Sequence, residues 1–127
     1  MVTTKRWNDP KKCSDGLRVL VTRYRPRGLP KSQETWDVWM RDLAPSTELH
    51  AAFYGKSGTK MSWPSYRIAF LREMKSAKAA IRKLVEHIQS GQSITLLCSS
   101  ACVEDDRCHR SLLREIITAE MQNKLAA

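Results

Sequence analysis

Residues 94–110 read Ile94-Thr95-Leu96-Leu97-Cys98-Ser99-Ser100-Ala101-Cys102-Val103-Glu104-Asp105-Asp106-Arg107-Cys108-His109-Arg110, with Leu112, Leu113, Ile116, Ile117 and Met121 following. The opening apolar run reads as a buried strand, and the later apolar positions, one helical turn apart, read as the inner face of a helix. Strand, polar loop and helix in that order point to an α/β layered fold. In open α/β sheets ligands collect outside the carboxyl ends of strands, where helix N-termini present free backbone N–H groups. The loop between this strand and helix carries Cys98, Cys102, Cys108, His109, Arg107 and Arg110, which makes it a site candidate on geometric grounds.

Working outward, Tyr66, Phe70, Met74, Ala77, Ile81, Leu84, Val85 and Ile88 form a helical stripe ahead of the strand. Ser62 can cap it, Pro64 is tolerated in its first turn, and Gly91 is placed to stop it. Ser76 is where the stripe could divide, and the pattern leaves one helix or two open. Ser46 after Pro45 reads as the N-cap of a helix running to about residue 53, with residues 55–58 as a flexible connector. Trp36, Trp39, Met40 and Leu43 have the spacing of a short amphipathic helix or turn. Residues 17–23 read as a mostly buried strand ending in a rigid loop, in which Pro26, Gly28 and Pro30 brace Arg23, Arg25 and Arg27. Residues 2–7 suit a short edge strand, interrupted at Asn8-Asp9-Pro10, and residues 11–16 a turn. Asp105 or Asp106 offers an N-cap for the last helix. Long helical crossovers favour parallel pairing. The expectation is a single small domain over residues 1–127, with a mostly parallel sheet of about three strands and helices packed on it.

The chain has 127 residues, enough for one core without disulfides or metals to hold it together. No apolar run approaches bilayer length, and the N-terminus lacks the apolar stretch of a signal peptide. A cytoplasmic protein whose four cysteines are free thiols is the default expectation. The net charge of +9 favours anionic ligands and weak nonspecific nucleic-acid binding. No cofactor is called for, and the oligomeric state stays open.

Several segments taken together resemble the YeaO-like proteins, grouped as domain-of-unknown-function family 488. They are Arg18-Val19-Leu20-Val21-Thr22-Arg23, Pro26-Arg27-Gly28, Trp39, Asp42-Leu43-Ala44-Pro45-Ser46-Thr47-Glu48-Leu49, Tyr66, Arg72-Glu73, Ile94-Thr95-Leu96-Leu97 and Cys108-His109-Arg110. They span nearly the whole chain. Two departures stand out: the spacing is altered around residues 55–61, and many YeaO-like members lack the cysteines, Cys-His-Arg being the pattern of another branch. The resemblance implies a compact α/β fold and a soluble bacterial or archaeal protein. It brings no assigned activity.

The thiol-bearing loop admits several chemistries. Cys98, Cys102, Cys108 and His109 offer four zinc donors, but the spacing Cys-x3-Cys-x5-Cys-His contains no Cys-x2-Cys knuckle. Adjacent Cys108 and His109 would strain the backbone to reach one ion, so no metal is assigned. Cys98 then reads as a buried strand residue and Cys102 as incidental. Cys108, in the first turn of a helix capped by Asp106 and beside Arg107 and Arg110, has what favours a thiolate. The alternative is an inert thiol tucked under the sheet. His109 can serve as general acid/base or hold the loop by a backbone bond. Cys108 and His109 are therefore the candidate catalytic pair, and whether any reaction is catalysed stays open. Phosphatase Cys-x5-Arg, P-loop, Gly-x-Gly-x-x-Gly and Gly-x-Ser-x-Gly patterns do not occur.

Arg23, Arg25 and Arg27 sit past the carboxyl end of the first buried strand. Parallel neighbouring strands would bring them beside the thiol loop, and with Arg110 they would make an anion pocket walled by Trp36 or Trp39. Otherwise they are solvated or paired with Asp37, Asp42 or Glu48. His50 and His87 are expected at the surface. The leading expectation is a binder of a phosphorylated or other anionic small molecule, including nucleotides, held by Arg23, Arg25, Arg27 and Arg110. The rivals are a nucleic-acid module using Lys75, Lys78, Arg82 and Lys83, and a thiol redox sensor.

Overall fold

The 94–98 run is a central strand of the sheet. In the computed structural model, whose described residues are 1–56, 58–100, 102 and 107–126 with side chains to 123, Ile94–Cys98 is buried along its whole length. We label it β4. On one side it pairs in parallel with Val2–Arg6 (β1), on the other with Leu17–Leu20 (β2), and Val38–Trp39 (β3) pairs in parallel with β2. The sheet order is β1-β4-β2-β3. Among the described residues four α-helices accompany it: Thr47–Phe53 (α1), Trp63–Glu73 (α2), Lys78–Gln89 (α3) and His109–Ala126 (α4). None is long and apolar enough among the described residues to cross a membrane.

Side-chain alternation divides the sheet. Val19, Val21, Ile94 and Leu96 face the helices and pack with Phe70, Leu84, Val85, Leu112, Leu113 and Ile117. Burying each such side chain contributes about 1.5–3 kcal/mol. The opposite face carries Arg18, Leu20, Thr95 and Leu97, all wholly buried, and the residues that bond to Arg18 there come from loops and a 3-10 turn. Arg18 Nη1 meets the Asp15 carboxylate at 2.5 Å, its Nε donates to the Thr35 carbonyl at 2.6 Å, and its Nη2 approaches the Trp7 and Asp9 carbonyls.

Residues 36–43 depart from the helical expectation. Asp37 N donates to Arg18 O and Met40 N to Leu20 O, so Val38–Trp39 adds a strand to β2, and Arg41–Leu43 then makes one 3-10 turn. The free edge of β2 needs backbone partners, and satisfying it outweighs the weak local preference for a helix. The sheet therefore has four strands rather than about three.

The caps fall where the sequence places them. Ser46 Oγ accepts from Leu49 N and Ser62 Oγ from Ser65 N, with Pro64 in the first turn of α2. Glu73 clasps the start of α1, accepting from Ser46 N at 2.8 Å and Ser46 Oγ at 2.5 Å. The long stripe divides: Met74–Ala77 is a 3-10 turn between α2 and α3. Asp105 and Asp106 lie outside the described residues.

Gly16 sets the register of the two central strands. Its φ of 62° is left-handed, and a Cβ there would overlap the Ser93 carbonyl oxygen. That oxygen is held by Leu17 N at 2.9 Å as β2 meets β4, so it cannot retreat without opening the ladder. Gly16→Ala is expected to lower stability by more than about 1 kcal/mol in urea unfolding.

Candidate functional site

Parallel pairing puts the carboxyl ends of β1, β2 and β4 at one edge, and the chain leaves each there into a different loop. Val21 N donates to Leu97 O at 3.0 Å and Trp7 N to Cys98 O at 2.8 Å, which carries the ladder to that edge. Between the loops lies a cavity of about 310 Å³. The arginine turn after β2 and the thiol turn after β4 both line it.

Three sulfurs form its floor: Cys98, Cys102 and Cys108 have Sγ atoms all within 4.8 Å of one another. Cys98, at the end of β4, and Cys108, the residue before α4, are buried with Sγ atoms 3.2 Å apart. Cys108 thus precedes the helix rather than lying in its first turn. His109 begins α4 beside them. Its Nε2 lies 2.7 Å from Val21 O, and since a carbonyl only accepts, Nε2 carries the proton. Nδ1 is then the lone-pair nitrogen, 3.8 Å from Cys108 Sγ and 4.0 Å from Cys98 Sγ. Burial pushes the imidazole pKa down, which keeps the ring neutral. Phe70 braces its flank, with ring centroids 5.6 Å apart.

The three thiols share their protons unequally. Hydrogen bonds from Cys108 and then Cys98 hold Cys102 well below the ordinary thiol range, with the charge of Arg110 adding to this. The same sharing with Cys102 pushes Cys98 and Cys108 up, and burial adds to both. Cys102, which the sequence reads as incidental, thus shares one cluster with Cys98 and Cys108.

The arginines do not act alike. Arg23 Nε donates to Pro45 O at 3.0 Å and Nη2 approaches Ala44 O, so these neutral carbonyls hold its guanidinium at the cavity wall with its charge undiminished. Arg25 also lines the cavity, but its guanidinium is already engaged: it pairs with Glu34 at 2.8 Å, donates to Leu29 O and lies over the Trp36 ring. Its carboxylate partner is Glu34 rather than Asp37, Asp42 or Glu48. Arg27 is exposed at the rim. Arg110 is 4% exposed, donates to Cys102 O at 3.2 Å and lies outside the cavity lining, whereas Arg107 is part of it.

The aromatic wall also differs from expectation. Trp36 packs edge-on against Trp7, and Trp39 Nε1 donates to Thr22 O at 2.7 Å; neither lines the cavity. Tyr24, Tyr54, Tyr66, Phe53, His50 and Trp7 do. His50, expected at the surface, is half-buried between Tyr24 and Tyr54, and burial, with Lys56 and Arg23 nearby, pushes its pKa down. The i, i+3, i+4 recurrence of His50, Phe53 and Tyr54 at the end of α1 marks this wall in the sequence.

The family model described as "Active DUF488-N3 subclade" matches residues 2–121. The uncharacterised protein YeaO of Escherichia coli is 35% identical over 99 residues, covering 78% of this chain and 83% of its own length. The uncharacterised protein Rv3073c of Mycobacterium tuberculosis is 42% identical over 40 residues, covering 32% of this chain and 34% of its own. No solved structure matches. On that coverage the chain belongs to the YeaO-like DUF488 proteins, in the branch that the matching model describes as the active DUF488-N3 subclade.

Proposed function

We propose that the cavity binds a phosphorylated or otherwise anionic small molecule bearing a flat ring, the class that includes nucleotides. The observation that carries this reading is the convergence of the arginine turn and the thiol turn on one cavity of about 310 Å³. That size is at the lower end of small-molecule sites, about 300–1,000 Å³. Arg23, with Arg27 and Arg107 toward the rim, supplies fixed positive charge, and guanidinium groups grip phosphate or carboxylate oxygens in pairs. Tyr24, His50 and Tyr54 supply ring faces against which a base or similar ring can lie. Arg25 braces the loop through Glu34, and Arg110 holds the Cys102 backbone, so both act at one remove from the ligand. Cys108 and His109 lie beneath, where any reaction on the bound molecule would take place.

Calorimetric titration of nucleoside monophosphates and inorganic phosphate tests this. Arg23→Ala should weaken binding by about tenfold or more, as expected for loss of a charge-assisted hydrogen bond of about 1.5–3 kcal/mol. Arg25→Ala should change it by less than about threefold, since its half-exposed pair with Glu34 is worth under about 1 kcal/mol. Equal affinities in wild type and Arg23→Ala would overturn the reading. Tight single-stranded nucleic-acid binding lost on charge reversal at Arg82 and Lys83 would replace it with a nucleic-acid function.

A further inference from the structure

We propose that Cys98, Cys102 and Cys108 bind a zinc-class divalent ion at the cavity floor, with the Nδ1 of His109 as the nearest fourth donor. The inference concerns only the floor and holds whether or not the cavity above takes an anion.

Soft sulfur donors with an imidazole are the donor set that selects zinc over hard cations. A tetrahedral ion with bonds of about 2.3 Å to sulfur and about 2.0 Å to nitrogen places its donors about 3.8 Å apart for sulfur pairs and about 3.5 Å for sulfur and nitrogen. The corresponding separations are 3.2 Å for Cys98–Cys108, 3.8 Å for Cys108–His109 and 4.0 Å for Cys98–His109. Cys102 Sγ lies within 4.8 Å of both other sulfurs. Small rotations of these side chains suffice to enclose an ion.

The orientation of His109 is the independent observation. A metal-binding histidine gives its other ring N–H to a carbonyl or carboxylate, which fixes the tautomer and aims the lone pair at the ion. Nε2 does this to Val21 O at 2.7 Å, and Nδ1 faces the sulfurs. The irregular spacing is no obstacle in the fold: the three cysteines come from a strand end, a loop and a helix start. Adjacent Cys108 and His109 already bring Sγ and Nδ1 to 3.8 Å of each other, with positive φ at neither residue. Three thiolates around a divalent ion leave one net negative charge. Arg110, buried and bonded to the Cys102 carbonyl, stands beside it to offset that charge. All three cysteines line the cavity, so the ion would sit in its floor, and with His109 as fourth donor its shell is closed, the arrangement of structural rather than catalytic zinc.

The test is a cobalt(II) titration of the full chain after chelator treatment and reduction by a phosphine. Saturation at one equivalent is expected, with the intense sulfur-to-cobalt charge-transfer band in the near ultraviolet and tetrahedral visible bands, both erased by one equivalent of zinc. Cys98→Ser and Cys108→Ser should each weaken binding by tenfold or more and diminish the charge-transfer band. The half-buried Cys102→Ser does the same with less risk to folding, and the exposed Cys13→Ser leaves the titration unchanged. His109→Ala should weaken binding by about 10–100-fold. No charge-transfer band in the reduced wild type, or one that survives Cys102→Ser and Cys108→Ser together, would overturn the proposal. Arg23→Ala should leave the cobalt spectrum intact, so failure of the anion reading and failure of this one are told apart.

Discussion

Asp15→Ala is expected to destabilise the protein by about 3–5 kcal/mol, the cost of leaving a buried charge without its partner. The charge in question is Arg18, wholly buried in the sheet. Asp15 Oδ2 is the carboxylate that meets it, and the same oxygen accepts the Lys12 backbone N–H at 3.0 Å. The remaining partners of Arg18 are carbonyl oxygens of Thr35, Trp7 and Asp9, which carry no neutralising charge. Lys5 also reaches Asp15, at 2.6 Å, but its side chain is 21% exposed. Lys5→Ala should therefore cost no more than about 1 kcal/mol. Denaturant unfolding of the two variants checks the contrast; similar losses would mean that pairing with Arg18 is not what makes Asp15 indispensable.

The same carboxylate sets a pH dependence. Burial alone would raise the Asp15 pKa, but bonds from Lys5, the Lys12 backbone and Arg18 outweigh it and bring it from 3.8 to about 2. A carboxyl with a depressed folded pKa stabilises the fold fully above its unfolded value. Stability should thus hold down to about pH 4 as far as this group decides, then fall as the pH drops through about 2. In Asp15→Asn that acid-side loss should shrink, because the group that takes up the proton is gone. Stability measured between pH 5 and pH 2 in the two proteins reads this directly.

Phe70→Ala should be comparably damaging, at about 3–5 kcal/mol. Phe70 is wholly buried, lies parallel to Tyr66 with centroids 6.0 Å apart, and forms one wall of the His109 ring site. The cavity left by truncation cannot collapse easily, because sheet residues on one side and α4 on the other are fixed by their own packing. The loss should reach the floor of the cavity as well. With its flank empty the imidazole has room to swing off the Val21 carbonyl, and Cys98 and Cys108 should become faster to react with a soluble disulfide reagent. Unfolding curves and thiol labelling rates measure the two consequences separately. A large stability loss with unchanged labelling would show that Val21 alone orients His109.

The legible parts of the fold were those whose signal is local. The 94–98 strand, the capped starts at Ser46 and Ser62 and the stop at Gly91 are written in contiguous residues, and each has its expected place. The parallel pairing of β2 with β4, inferred from long crossovers, brings the two turns together. What stayed hidden depends on distant partners. Trp36, Trp39, Met40 and Leu43 mimic a helix although Trp36 packs on Trp7, Trp39 bonds to Thr22 and Met40 and Leu43 join the core, and only the open edge of β2 reveals Val38–Trp39 as a strand. The burial of Arg18 depends on Trp7, Asp9, Asp15 and Thr35, which bond to it from outside its strand. Within the site, Arg23, Cys108 and His109 were visible from composition and position. The joint geometry of the three sulfurs was not, because a strand end, a loop and a helix start have no common spacing rule.

The outer rows of the sheet bear on how the protein behaves when concentrated. β3 pairs over two residues and then turns away at Arg41, too brief a row of N–H and C=O groups to template another chain. At the far border, β1 carries Lys5 and Arg6, held in place by Asp15 and Asp9. A second molecule adding itself there in parallel, in-register pairing would set its own Lys5 and Arg6 against these cations. Both borders therefore resist recruitment into extended intermolecular sheets, and a truncation that removed the first six residues would expose the wholly buried row of β4 to that hazard.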